Sequence, residues 1–143
     1  MIRPVAPASA PYLQWKTSAA CKKGQIAVVS GGLALPAAEN CSAATVLGVF
    51  VEDADSGAVS YIYPGDQEFE FELYQGSSID TAALANQGVA YDIYVDGAAG
   101  DGNAEGEMYL DLNDTTGAFI RVNKIDAVRR VVTGRFFKSL IYV

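Results

Sequence analysis

The sequence predicts an all-β domain: a small antiparallel barrel or sandwich, β-tulip-like, with an extended N-terminal arm and at most one short helix. Three observations predict it. From Gly24 onward, short runs rich in valine, isoleucine, tyrosine and phenylalanine alternate with glycine, aspartate, asparagine and serine. Only residues 80–86 have a helical pattern, so helices do not connect the strands as a parallel sheet requires. A chain of 143 residues, half of them hydrophobic, fits one domain with a core.

Residues 1–14 precede the strands and are predicted to form the arm, which leaves 15–143 as a single β-barrel domain. Pro4, Pro7 and Pro11 lie in this segment, and prolines at this spacing favour an extended chain over a helix or a central strand. Because the segment holds few bulky side chains, we expect it to be dispensable for folding. Trp15, the only tryptophan, is predicted to be a packing anchor, although its position would also suit an intermolecular contact.

The strands that follow are predicted from short apolar runs bounded by turn residues. The clearest alternation places Phe69, Phe71 and Leu73 on one face of a strand and glutamates on the other. The one helical segment, 80–86, has Ser78 or Asp80 available as its N-cap. The predicted strands are 25–30, 33–36, 46–52, 58–63, 67–74, 89–95, 107–112, 118–124 and 128–142.

Charge is segregated along the chain. Between Gly24 and Ile120 there are sixteen acidic residues and no lysine or arginine, whereas the two ends together carry ten basic residues and one acid. If the ends are neighbours in the fold, the molecule has a basic pole and an acidic body. Alternatively, the cations of the ends pair with the acidic middle inside one monomer. The net charge of −7 argues against a nucleic-acid partner.

Two further patterns concern membrane insertion and export. The apolar run 46–51 is far shorter than the roughly 20 residues that a membrane-spanning helix needs, so no membrane partner is predicted. The first residues lack the apolar segment of a signal peptide, so we expect synthesis in a cytoplasm without export by that route.

The sequence predicts no enzyme, no catalytic residue and no cofactor. It contains no histidine, which excludes a Ser-His-Asp or Cys-His nucleophile and a histidine metal site. Cys21 and Cys41 are too far apart for a CxxC pair; they form one disulfide or remain two small buried thiols. Glu68, Glu70 and Glu72 share one strand face, which is typical of a solvated surface and not of a glycosidase pair.

A metal site is also not predicted. Asp101, Asn103, Glu105 and Gly106 reproduce the first half of an EF-hand loop, but its twelfth position is Leu112 and not the bidentate glutamate. We therefore expect a polar hairpin tip that binds calcium weakly or not at all.

Several stretches resemble the capsid decoration (cement) proteins of tailed bacteriophages. They are KGQIAVV at 23–29 with GGL at 31–33, ATVLGVFVEDA at 44–54, AVSYIYPGD at 58–66 and VTGRFF at 132–137. The similarity spans roughly residues 22–138. It implies a structural virion protein without an active site, which forms a homotrimer on the outer surface of an icosahedral head. The partner is then the major capsid protein, across whose surface an N-terminal arm reaches.

Physical reasoning about the arm agrees with the resemblance. A proline-bearing segment stays solvated until a partner's strand edge or groove orders it, and three arms in one trimer would add avidity. The candidate capsid-binding residues are Arg3, Pro4, Pro7, Pro11, Tyr12, Trp15 and Lys16.

A different class remains as the alternative: a carbohydrate-binding or adhesion β-module of a phage tail or head fibre, with its eight tyrosines as sugar platforms. Tyr61 and Tyr63 share one strand face, while Tyr91 and Tyr94 lie on opposite faces. Core or interface packing therefore explains most of these tyrosines.

Overall fold

The computed structural model describes residues 1–6, 12–77, 87–97 and 106–136 and arranges their strands in two antiparallel sheets. The larger sheet has the order β1-β7-β11-β10-β8-β9, and the smaller has the order β2-β6-β5-β3-β4. The strands are β1 (Arg3–Pro4), β2 (Leu13–Lys16), β3 (Ile26–Ser30), β4 (Leu33–Pro36), β5 (Val46–Phe50), β6 (Val59–Pro64), β7 (Phe69–Glu72), β8 (Ala90–Val95), β9 (Met108–Asp111), β10 (Ile120–Asp126) and β11 (Val131–Phe136), with a 3₁₀ turn at Ala43–Thr45.

The all-β prediction is confirmed, and each of the nine predicted strands coincides with one of β3 to β11. The last strand begins later than predicted, because residues 127–130 form the turn that joins it to β10, and residues 137–142 of the prediction lie outside the described residues. The helix predicted at 80–86 lies outside the described residues. In the described part of the chain, no helix is long and apolar enough to cross a bilayer.

Both sheets curl, so that strands which are not neighbours in the sheet order come into contact. In the larger sheet a parallel bridge joins Leu73, just after β7, to Leu110 in β9. In the smaller sheet a parallel bridge joins Thr17, just after β2, to Ala34 in β4. Curling of this kind encloses side chains on the concave side of each sheet, so that two hydrophobic cores form.

The two cores share one wall, made by β3 and β5. Along β5, Val46 and Val49 face the larger core, whereas Leu47 and Phe50 face the smaller one. Every residue of β5 is buried, which explains why this strand is continuously apolar and does not alternate with polar residues. The predicted face of Phe69, Phe71 and Leu73 is confirmed, and all three belong to the larger core.

Gly48 permits the close approach of β5 to β6. Its φ is +155°, and a Cβ atom at this position would overlap the backbone carbonyl of Tyr63. An ordinary side chain is therefore excluded at the centre of the shared wall.

Within the predicted arm, residues 1–14, the structure describes residues 1–6 and 12–14, and these contact the two sheets. Ile2 is 1% exposed and belongs to the larger core, and its N–H donates to the Gly24 carbonyl at 3.3 Å. Arg3 and Pro4 pair with β7; proline is tolerated there because β1 is an edge strand. The boundary predicted between residues 14 and 15 falls inside β2. Residues 7–11 lie outside the described residues.

Candidate functional site: an exposed aromatic face

Three exposed hydrophobic side chains lie together on one side of the smaller sheet. Tyr12, Val59 and Tyr61 are 38%, 55% and 37% exposed. Gln14 lies directly opposite Tyr61 and Lys16 directly opposite Val59 in the β2–β6 ladder, and residues that lie opposite one another share a face. The aromatic face is defined here by Tyr12, Gln14, Lys16, Val59, Tyr61 and Tyr63.

Alternation along β6 produces this face. Ser60 and Ile62 are buried towards the smaller core, so Val59, Tyr61 and Tyr63 point the other way. Tyr63 pairs with Val49 and packs against the larger core. One side of the smaller sheet packs on the larger core at β3 and β5. The same side extends past that core at β2 and β6, and there its apolar side chains are exposed.

A shallow groove crosses the aromatic face. It has a volume of about 250 Å³ and is lined by Tyr12, Val51, Glu52 and Tyr61. The Tyr12 ring packs edge-to-face on Tyr63, with centroids 5.4 Å apart and an angle of 82° between the planes, which orients the Tyr12 ring. The Val51 N–H donates to the Tyr61 carbonyl at 2.9 Å. The groove thus combines two tyrosine rings, one aliphatic side chain and one carboxylate.

The outer edge of β2 borders this face. The Thr17 N–H donates to the Ala58 carbonyl at 2.9 Å, which fixes the phase of the antiparallel ladder. Because bonding alternates along such a ladder, the backbone polar groups of Gln14 and Lys16 point away from β6. At the Lys16 end β4 covers this edge: Thr17 forms a parallel bridge with Ala34, and the Ser18 N–H donates to the Ala34 carbonyl at 2.9 Å. At the Gln14 end an extended partner segment could pair with the outer edge.

The predicted capsid-binding residues are divided by the structure. Tyr12 and Lys16 lie together on the aromatic face. Trp15 lies in the same strand but packs inward against the smaller core, and the Ser60 hydroxyl donates to its carbonyl at 2.7 Å. The prediction of a packing anchor is therefore confirmed. Pro7 and Pro11 lie outside the described residues.

Arg3 and Pro4 belong to a different surface, at the edge of the larger sheet. The Arg3 Nε donates to the Glu70 carboxylate at 3.0 Å. This hydrogen bond, together with the negative charge of Glu70, raises the pKa of the Arg3 guanidinium. Pro4 pairs with Phe69 in the β1–β7 ladder. An intramolecular role therefore accounts for both residues.

The charged ends of the chain meet the acidic strand β7 within the monomer. Glu70 pairs with Arg3 and also with Arg129, whose Nη2 lies 3.3 Å from Oε1. Arg135 lies 3.8 Å from Glu68, and the N-terminal ammonium lies 2.9 Å from both Glu72 and Glu107. Of the two arrangements that charge segregation allows, internal pairing holds for these groups. Each exposed pair contributes about 0–1 kcal/mol of stability at most.

The predicted capsid-binding residues do not include six residues of this site: Gln14, Val51, Glu52, Val59, Tyr61 and Tyr63. A signal was present in AVSYIYP, where the small Ser60 and the apolar Ile62 alternate with Val59, Tyr61 and Tyr63. That alternation predicts two faces but not which of them is covered, since the cover is built by the distant larger sheet.

The buried ionisable groups do not form a reactive centre. Burial raises the pKa of the Cys41 thiol to about 11, with a further contribution from Asp92, and burial also raises the pKa of Cys21. Both cysteines are free thiols, and a raised pKa keeps them protonated and weakly nucleophilic. Asp92 is fully buried; burial raises its pKa, although the Asn40 N–H donates to Oδ2 at 2.9 Å.

A more voluminous groove, of about 540 Å³, lies beside Cys21, Lys22, Gln25 and Asp53. Its polar groups bond to their neighbours: Gln25 Nε2 donates to the Gly106 carbonyl at 2.7 Å, and Asp53 accepts from the backbone N–H of Lys23 at 2.8 Å. Within the described ranges, no three carboxylate or thiol groups are arranged to hold a metal ion. Residues 101–105 of the EF-hand-like loop lie outside those ranges.

Comparison with known proteins adds no relative. No protein-family model matches the chain, and a search of curated proteins finds no similar sequence.

Proposed function

We propose that this chain is a structural virion protein of the decoration (cement) type. It is made in the host cytoplasm, binds the major capsid protein as a homotrimer on the outer surface of a phage head, and stabilises the shell. The observation that carries the proposal is the aromatic face, where Tyr12, Val59 and Tyr61 are exposed beside β2, the outer strand of the smaller sheet. The resemblance of residues 22–138 to decoration proteins supports a capsid as the partner.

The aromatic face has the composition of a protein-binding surface. Tyrosines dominate the energetics of many interfaces, because they bury a large area with little loss of side-chain entropy. Gln14 and Lys16 supply polar groups beside the apolar centre, as the rim of an interface requires. Three such faces in a trimer would bind several shell subunits at once.

In this proposal the smaller sheet contacts the capsid, whereas the sequence predicted that a detached arm would do so. Ile2, Arg3 and Pro4 are held by the larger sheet, so docking depends on Tyr12 and the residues that follow it. A protein that binds the assembled shell but not its released subunits raises the temperature of disassembly by mass action.

The test compares the thermal disassembly of capsids with and without the protein. We expect the double substitution Tyr12→Ser with Tyr61→Ser to weaken capsid binding at least tenfold, or about 1.4 kcal/mol. Val128→Ser is the matched control, because Val128 is 94% exposed but lies in the β10–β11 turn, outside the aromatic face. Light scattering measures the mass of the free protein. A monomer that leaves capsid melting unchanged would refute the proposal.

A carbohydrate-binding or adhesion module is the second candidate, and one observation favours it. The Tyr74 and Tyr94 rings stack with centroids 4.1 Å apart, and Tyr94 lies opposite Tyr109 in the β8–β9 ladder. Tyrosine rings can carry a sugar, and Tyr74, Tyr94 and Tyr109 form a cluster of such rings. Binding of a defined oligosaccharide on a glycan array, lost on Tyr109→Ala, would favour this candidate over the capsid.

A further inference from the structure

We infer that the groove between Tyr12 and Tyr61 receives an arginine side chain from the protein that docks on the aromatic face. The inference rests on the proposed function for the existence of such a partner, and it specifies the chemistry that the partner presents. The groove combines aromatic walls with a carboxylate, and the only lysine of the aromatic face lies at its other end.

The walls of the groove suit a flat cation. Both tyrosine rings are more than one-third exposed, and Tyr12 is held in place by its edge-to-face contact with Tyr63. A guanidinium stacks on an aromatic ring more favourably than an ammonium does, because it is planar and weakly hydrated. Val51 supplies an aliphatic surface for the methylene part of the same side chain.

The carboxylate of Glu52 completes the site. Glu52 is exposed, lines the groove, and has no ion-pair partner among the residues whose placement is described. A carboxylate can accept two parallel N–H bonds from one guanidinium, which distinguishes arginine from lysine.

The charge distribution indicates which end of the aromatic face receives a positively charged side chain. Arg3 and Arg129 pair with Glu70 in β7, and Arg135 pairs with Glu68 just before it, so these three arginines do not form a free basic pole. Lys16 lies at the other end of the aromatic face, opposite Val59. The partner is therefore expected to bring a basic side chain to the Glu52 end of the aromatic face.

The experiment titrates the full chain with N-acetyl-arginine methylamide and follows backbone amide shifts by NMR. The neutral analogue N-acetyl-citrulline methylamide has nearly the same shape without the charge. We expect millimolar binding that shifts the amides of Tyr12, Glu52 and Tyr61, and at least fivefold weaker binding of citrulline. Glu52→Gln should weaken arginine binding by the same factor, while Asp66→Asn, an equal charge change at another exposed site, should not.

Two results would overturn the inference: equal binding of arginine and citrulline, or no shifts in these amides. A parallel measurement of capsid binding separates the two proposals. If Glu52→Gln binds capsids normally and arginine does not bind the groove, the inference fails and the proposed function stands. If arginine binds the groove but capsids do not bind the protein, the inference stands and the proposed function fails.

Discussion

Replacement of Ile2 by alanine tests whether the N-terminal residues belong to the domain. The Ile2 side chain is 1% exposed and packs in the larger core, whereas Val5, in the same short segment, is 54% exposed. Ile2→Ala should therefore destabilise the fold strongly, and Val5→Ala should have almost no effect. A detached arm would make the two substitutions equivalent.

The magnitude follows from the buried volume that is lost. Ile2→Ala removes three carbon atoms, and at about 0.8 kcal/mol for each buried methylene the transfer term is about 2.4 kcal/mol. The remaining cavity adds to this cost, since the surrounding strands relax only partly. We expect a loss of about 3 kcal/mol for Ile2→Ala and less than about 0.5 kcal/mol for Val5→Ala.

Urea unfolding measures the difference, with the fluorescence of Trp15 as the signal, because Trp15 is half-buried against the smaller core. The slope should be unchanged and the midpoint lowered. In thermal unfolding, about 2–4 °C per kcal/mol predicts a decrease in Tm of about 6–12 °C. If both variants unfold at the wild-type midpoint, Ile2 does not contribute to the core and the reasoning is refuted.

Three further substitutions test other parts of the fold. Burial raises the pKa of Asp92 in the folded protein, so the protonated carboxyl favours folding in acid, and this contribution to stability is lost as the pH rises through that pKa. In urea titrations Asp92→Asn should therefore be more stable than the wild type at pH 7, and the difference should shrink towards pH 4. A difference that does not change with pH would contradict this. The Arg130 guanidinium donates to three backbone carbonyls, so Arg130→Ala should cost about 2 kcal/mol in urea unfolding; Val128→Ala, in the same turn, is the control, and equal costs would contradict the assignment. Gly48→Ala should abolish folding as judged by circular dichroism, because its Cβ overlaps a backbone carbonyl, whereas Gly57→Ala, with open space around its Cβ, should fold at a cost of about 1–2 kcal/mol.

Local patterns in the sequence were sufficient to predict most of the strands. The alternation of Phe69, Phe71 and Leu73 with glutamates predicts both the strand and its buried face, because strict alternation over this length is typical of a half-buried strand. The two strands that were missed lie in the proline-bearing segment. β1 contains only Arg3 and Pro4, which is too short for any period, and it exists because β7 offers a partner edge.

The candidate site depended on contacts between distant segments. Tyr61 could be assigned to a strand face from its neighbours, but its exposure depends on where the larger sheet stops covering the smaller one. The ion pairs also depend on contacts between distant segments. The pairing of Arg3 with Glu70 follows from the β1–β7 register, and no pattern within either segment specifies that register.

The shared wall of β3 and β5 has a consequence for how the molecule opens. Val46 and Phe50 belong to different cores but to the same five-residue strand, so any motion that exposes one core also removes a wall of the other. The two halves cannot then melt in sequence as separate foldons. The amide protons of β5 should exchange with deuterium only through global unfolding, and calorimetry should record a single heat-absorption peak whose calorimetric and van't Hoff enthalpies agree.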